Sequence, residues 1–156
     1  MNKKILFALS VALVAIAAIG TVSAFDLSDL GSLLGMEPEN QTVTVDGENF
    51  TIPGTFEENE QVNDTGTDYD FDFFKCTQYS KGYVNGTNYI NILINDYDIN
   101  PDDDLINFNN GISKEISGEN GFLDYDGIGY TFSYAKDNKV ISIQSDNEEL
   151  IAPVIA

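Results

Sequence analysis

Residues 41–52 read Gln-Thr-Val-Thr-Val-Asp-Gly-Glu-Asn-Phe-Thr-Ile, and this stretch is the strongest indication of the fold. Apolar and polar residues alternate on either side of Asp46-Gly47, the apolar ones being Val43, Val45, Phe50 and Ile52. A period of two is typical of a strand with one buried face. Asp-Gly between two such runs predicts a type I′ turn, which needs positive φ at both central residues. We therefore expect a β-hairpin here.

The same alternation continues along the chain and predicts further hairpins. Strands are expected at 69–80, about 87–97, 112–117, 121–126, 128–135 and 139–144. Asn85-Gly86 and Asp137-Asn138 are the predicted turns within two of these hairpins. The polar, acidic stretch 57–68 is predicted to be a loop.

Three short helices are also predicted. Leucines at helical spacing indicate one over 26–35. A second is expected to begin at Asn100-Pro101, with Asn as N-cap and Pro in the first turn, and to end at Gly111. Residues 145–148 match a capping box, and Pro153 is expected to end the helix that follows. The predicted fold class is therefore α+β: a twisted antiparallel sheet of hairpins with two or three short helices packed on it.

The N-terminus has the pattern of a secretory signal peptide. Lys3 and Lys4 precede the apolar run Ile5–Ile19, and Val22-Ser23-Ala24 supplies small residues for cleavage. We expect a signal peptide over 1–24, a short helix and linker over 25–40, and a single α+β domain over 41–156. The predicted location is secreted, extracellular or at the cell surface. An uncleaved N-terminal anchor is the alternative, and it is the only membrane contact expected.

Charge and missing residue types exclude several functions. The 156 residues include 26 acidic and 7 basic ones, for a net charge of −19, and every basic residue is Lys. Without His there is no Ser-His-Asp site and no imidazole metal site. Without Arg there is no bidentate clamp for phosphate. So acidic a chain also repels nucleic acid, which is not expected as a partner.

Two acidic clusters could bind a divalent cation, and Ca²⁺ is the one cofactor that they suggest. Asp96, Asp98, Asp102 and Asp104 recur at alternate positions, as oxygen ligands do in a calcium loop. Pro101, however, stands where such a loop has its glycine. Asp68, Asp70 and Asp72 alternate around the start of the strand predicted over 69–80 and would lie on one face of it. The alternative for both clusters is structural: a helix N-terminus and a solvated strand face.

Other side chains indicate modification or contact surfaces. Asn40, Asn63 and Asn85 begin sequons that a secreted chain could carry glycosylated, and Asn49 begins a fourth beside the core residue Phe50. Tyrosines could form a platform for a carbohydrate or a peptide, or pack on the sheet: Tyr69, Tyr79, Tyr83, Tyr89, Tyr97, Tyr125, Tyr130 and Tyr134.

Cys76 is the single cysteine, so no internal disulfide can form. It is expected to be a small buried hydrophobe on a strand, with intermolecular disulfide pairing as the alternative.

One stretch resembles a known group of proteins. The run from Val43 to Pro53 resembles the Gly-x-x-Phe-x-Ile-Pro hairpin of small secreted proteins from methanogenic archaea. The likeness extends through the Asn85-Gly86 hairpin and the final hairpin with its helix. That group has no assigned activity, so the resemblance implies an archaeal, exported protein and a fold but no mechanism. At the level of the fold the chain is similar to PsbP-type α/β/α sandwiches.

The expected function is therefore that of a non-enzymatic secreted or cell-surface domain. Its role would be binding or structural, with surface proteins, glycans or divalent cations as partners. The alternatives are a Ca²⁺-stabilised extracellular module and a small carboxylate-dependent hydrolase, which would need two converging carboxylates.

Overall fold

The structure is a computed structural model that describes residues 38–72 and 74–155. The predicted signal peptide and the helix predicted over 26–35 lie outside the described residues.

Ten strands and two short α-helices make up the described part. The strands are β1 Gln41–Val45, β2 Glu48–Ile52, β3 Glu57–Glu58, β4 Asp64–Asp70, β5 Lys75–Asn85, β6 Asn88–Tyr97, β7 Ile112–Ile116, β8 Glu119–Tyr125, β9 Tyr130–Lys136 and β10 Lys139–Ser145. The helices are α1 Asp103–Ile106 and α2 Ile151–Ile155, and 3₁₀ turns span Glu60–Val62 and Glu148–Leu150.

The fold class predicted above is wrong, because the protein is mostly antiparallel β-sheet. Strands hold 56% of the described residues and helical segments 13%, and the longest helical segment has eight residues. The helix predicted over 100–111 shrinks to α1, which is capped by Asp102 and not by Asn100. Asp102 Oδ1 accepts a hydrogen bond from Leu105 N at 3.0 Å. Asn107 and Phe108 follow, and both have modest helix propensity.

The closing helical segment begins later than predicted and continues past its proline. Asn147, not Ser145, is the N-cap, and its Oδ1 accepts from Glu149 N at 3.0 Å. Pro153 lies inside α2 and does not end it. The first-turn N–H groups of an α-helix have no partner within that helix, so a proline there removes little.

The strands form one large sheet and one small one. The large sheet has the order β3-β5-β6-β10-β9-β8-β7, and β1 pairs with β2 separately. β6 and β10 meet antiparallel at the centre, so two meanders share one sheet. The predicted hairpin is confirmed, with Asp46 and Gly47 at φ 44° and 80°.

The stretch 57–68 is not the predicted loop. β3 and β4 both pair with β5, β3 near Val84 and β4 from Ser80 to Lys75. The 3₁₀ turn at Glu60–Val62 separates them. Together they form one interrupted edge strand. The strand predicted over 69–80 is in fact the end of β4, a connection, and the start of β5.

One face of the large sheet is apolar. Ile94 lies opposite Ile141, and Ile143 lies between Ile92 and Phe132 on the neighbouring strands. The β1–β2 hairpin and α2 cover this face with Val45, Phe50, Ile52, Ile151 and Val154.

The centre of the opposite face is polar and buried. Its side chains are Gln78, Ser80, Asn91, Asn95, Ser133, Ser142 and Gln144. The Ser133 and Ser142 hydroxyls lie 2.8 Å apart and hydrogen-bond to each other. Phe108, from the connection between β6 and β7, packs at one end of this face against Cys76, Tyr97 and Val140.

Candidate binding site

The acidic cluster predicted at Asp68, Asp70 and Asp72 is only partly on a strand. Asp68 and Asp70 share one face of β4, whereas Asp72 lies beyond its end. Thr77 Oγ1 donates a hydrogen bond to Asp68 Oδ1 at 2.8 Å. Asp70 forms an exposed ion pair with Lys75 at 2.8 Å, which raises the pKa of that lysine through the hydrogen bond and the charge of Asp70.

The acidic cluster predicted at Asp96, Asp98, Asp102 and Asp104 is divided between three roles. Asp96 is the second-last residue of β6, and its carboxylate accepts a hydrogen bond from Asn138 Nδ2. Asp98 Oδ1 accepts from the backbone N–H of Lys75 at 2.8 Å. Asp102 caps α1, and Asp104 lies in its exposed first turn.

The fold brings part of both clusters together in an acidic groove. Asp68, Asp70, Asp96 and Asp98 line this groove of about 570 Å³. Asp72, Asp102 and Asp104 do not. Lys75 also lines it, and protein donors bind the carboxylates described above. Residues 38–72 and 74–155 contain no group of three or more side chains placed to hold a metal ion. Cation binding therefore stays a prediction.

Cys76 lies buried on β5 beside this groove, as predicted. Burial raises the pKa of its thiol from 9.0 to about 11, and the nearby charges of Asp98 and Asp68 add to the effect. A thiol that stays protonated at neutral pH is a poor nucleophile.

The predicted glycosylation residues differ in access. Asn40 and Asn85 are exposed. The side chain of Asn63 is occupied: its Nδ2 donates to Glu58 Oε1 at 2.7 Å, and its Oδ1 accepts from Gly82 N at 3.2 Å. In the folded protein, Asn63 therefore links β3 to β5.

Large apolar side chains are exposed together at one corner of the sheet. Ile112 begins β7 and is 69% exposed, Tyr125 ends β8 and is 56% exposed, and Ile128 in the β8–β9 turn is 79% exposed. The rings of Tyr125 and Tyr130 lie 4.7 Å apart. We call these four residues the apolar corner. Of the predicted platform it exposes Tyr125, whereas Tyr130 is half-buried against the core.

The turn that carries Ile128 is built by local hydrogen bonds. Asp126 Oδ1 accepts from the N–H of Ile128 at 2.8 Å and of Gly129 at 2.9 Å. Gly129 leaves room for Tyr89, because a Cβ there would lie 2.1 Å from the Tyr89 hydroxyl oxygen and would displace that side chain. These constraints hold Ile128 at the tip of the turn, away from the core.

A groove of about 760 Å³ runs beside β7 and adjoins this corner. We call it the β7 groove; Glu115, Ile116, Tyr130, Asp146 and Glu149 are among its lining residues. Lys114 pairs with Glu148 across it. Because Tyr130 belongs to both, the groove and the corner form one continuous surface.

The outer side of β7 completes this surface. Among the described strands, β7 pairs only with β8, and that pairing runs from Ile112 to Ile116 without a register shift. A strand with one free side presents unpaired backbone N–H and C=O groups.

Sequence reasoning named Tyr125 and Tyr130 among the platform tyrosines but not Ile112 and Ile128, although a signal for Ile128 was present. Residues 126–129 read Asp-Gly-Ile-Gly, and an isoleucine between two glycines in a turn has no core to reach. The neighbouring alternation of Tyr130, Phe132 and Tyr134 predicts a buried strand face and gives no information on the turn that precedes it.

Comparison with known proteins found no match to a family model, a curated protein or a solved structure. The resemblances to secreted methanogen proteins and to PsbP-type sandwiches therefore stay predictions. Within the described residues, no helix has the length and apolar character that crossing a membrane requires.

Proposed function

We propose that this protein is an exported, non-enzymatic binding domain that contacts its partner through the apolar corner. The observation that carries the proposal is the exposure of Ile112, Tyr125 and Ile128 at one place, each more than half open to solvent. Clustered apolar side chains of this size on a soluble domain are typical of an interaction surface.

The chemistry of the corner favours a protein partner over a glycan. Ile112 and Ile128 offer aliphatic surface and no side-chain hydrogen bonds, whereas sugars require polar partners. Tyrosine is enriched in the contact surfaces of protein complexes, and Tyr125 supplies an exposed ring there.

Export is supported by the N-terminal pattern alone. The lysines at 3 and 4, the apolar run and Val22-Ser23-Ala24 together have the pattern of a secretory signal peptide, which supports export. N-terminal sequencing of the secreted protein should begin at Phe25, and a chain that still begins at Met1 would indicate an anchor.

Selection from a random peptide library tests the binding role. We expect enriched peptides to bind the wild type and to lose at least about tenfold in affinity for the triple variant Ile112→Ser/Tyr125→Ser/Ile128→Ser. Ile99→Ser is the matched control, because Ile99 is exposed elsewhere, at 40%. Circular dichroism checks that every variant is folded. Failure to enrich any peptide, or equal binding by the triple variant, would overturn the proposal.

A further inference from the structure

We infer that the partner is an extended, basic peptide segment that adds as a strand to the side of β7 that no described strand occupies. This inference rests on the proposed function and specifies how the apolar corner is used. An added strand gains affinity from main-chain hydrogen bonds and specificity from alternate side chains.

The shape of β7 permits such pairing. Its five residues pair with β8 in one unbroken register, and Ser113 and Glu115 are exposed along it. The opposite edge of the sheet is less suitable: β3 and β4 are separated by a 3₁₀ turn, and the register shifts between Thr65 and Thr67. A bulged, interrupted edge resists strand addition.

The side chains around β7 extend the contact beyond the backbone. In a strand paired to β7, residues on one face recur about every 7 Å. Such spacing allows one side chain to lie beside Ile112 at the apolar corner and a later one to enter the β7 groove beside Ile116. The continuity of groove and corner through Tyr130 is what a single segment requires.

The charge of the groove determines the kind of segment. Lys114 is neutralised by its ion pair with Glu148, which leaves the carboxylates of Glu115, Asp146 and Glu149 along the groove. A segment with Lys or Arg between its apolar residues complements them. A second copy of this chain does not, because each copy carries a net charge of −19.

The test uses a short peptide that alternates isoleucine and lysine, and a twin with an N-methyl group on every backbone nitrogen. Both peptides carry the same charge, so attraction to an acidic protein affects them equally. We expect the twin to bind at least about tenfold more weakly, because it cannot complete the strand pairing. Hydrogen exchange in the segment Ile112–Ile116 should slow only with the unmodified peptide.

Two variants with identical charge changes separate the site from general attraction. Glu115→Lys should weaken binding of the unmodified peptide about tenfold. Glu57→Lys, on the opposite edge strand, should bind like the wild type, since Glu57 is equally exposed. Thermal melts confirm that both are folded.

The outcomes distinguish this inference from the function beneath it. Equal binding of the twin, or unchanged exchange in β7, would overturn strand addition, while loss of binding in the triple Ser variant would still support the apolar corner. Dimerisation through β7, seen by sedimentation and abolished by Glu115→Lys, would overturn the basic peptide as the occupant. If no peptide binds, the proposed function itself fails.

Discussion

One edge of the sheet is formed by β3 and β4, which share β5 as their neighbour, and the other is formed by β7 alone. The first edge is interrupted by a 3₁₀ turn, bulged near Gly66 and lined by Asp64, Asp68 and Asp70. The second is regular and begins at Ile112, which is exposed. Edges that must not pair are bulged or charged in native proteins. Under the proposal above, the β3–β4 edge is closed and β7 receives the partner.

The largest loss of stability is expected from a substitution at Gly82, where the β3–β4 edge packs on β5. A Cβ at Gly82 would lie 1.9 Å from Val62 Cγ2 and 3.0 Å from Asn91 Oδ1. Gly82→Ala should lower the free energy of unfolding by about 2 kcal/mol, because the 3₁₀ turn must move away. Urea denaturation measures it.

A double variant tests that explanation. Val62→Ala removes the methyl group that the new Cβ would meet, so Gly82→Ala with Val62→Ala should lose less stability than the two single variants added together. Additive losses would show that the turn does not depend on Gly82.

The next largest losses of stability come from removing side-chain hydrogen bonds at the two edges of the sheet. Asn63→Ala, in unglycosylated protein, removes hydrogen bonds to Glu58 and Gly82 and should destabilise by about 1–2 kcal/mol. Ser117→Ala, at the end of β7, removes one exposed bond to Ala152 O and should destabilise by about 0.5 kcal/mol. Equal losses in chemical denaturation would contradict the comparison.

A pH dependence is expected from Cys76, beside the closed edge. Because burial raises the thiol pKa to about 11, the folded state favours the neutral form. Its contribution to stability is therefore complete below the ordinary pKa of 9.0 and is lost as the pH rises through about 11. The stability difference between wild type and Cys76→Ala should fall by about 1 kcal/mol from pH 9 to pH 10. A constant difference in alkaline denaturation would show that the thiol is not buried.

The smallest effect is expected from calcium at the acidic groove. With protein donors on Asp68, Asp96 and Asp98, millimolar Ca²⁺ should raise the Tm by less than about 1 °C relative to EDTA, since only binding to the native state raises stability. A larger shift that is absent from Asp68→Asn/Asp98→Asn would instead establish a cation site.

The parts of the fold that sequence reasoning found are those built from local rules. The Asp46-Gly47 turn follows from two residues that tolerate positive φ, and the inward faces of β6, β9 and β10 follow from strict alternation. β4 escaped detection because it is an edge strand that is exposed along most of its length. It therefore shows no apolar alternation, and its pairing with β5 is what makes it a strand.

The grouping of residues at the apolar corner could not be predicted from the sequence for a related reason. Ile112, Tyr125 and Ile128 are separated along the chain and become neighbours only when β7, β8 and the β8–β9 turn come together. The two acidic clusters show the same limit, since Asp68 and Asp98 lie in one groove although the chain places them 30 positions apart.

By itself, the sequence predicted an export signal, and it determined the acidic charge, the absence of His and Arg chemistry, and the hairpins with a glycine-containing turn. These features depend on composition or on a few adjacent residues. Only the tertiary structure decided that the fold is a β-sheet with short helices, which edge is closed, and where apolar surface stays exposed. Those features depend on which strands become neighbours, and that is set by packing across the whole sheet rather than by any one segment.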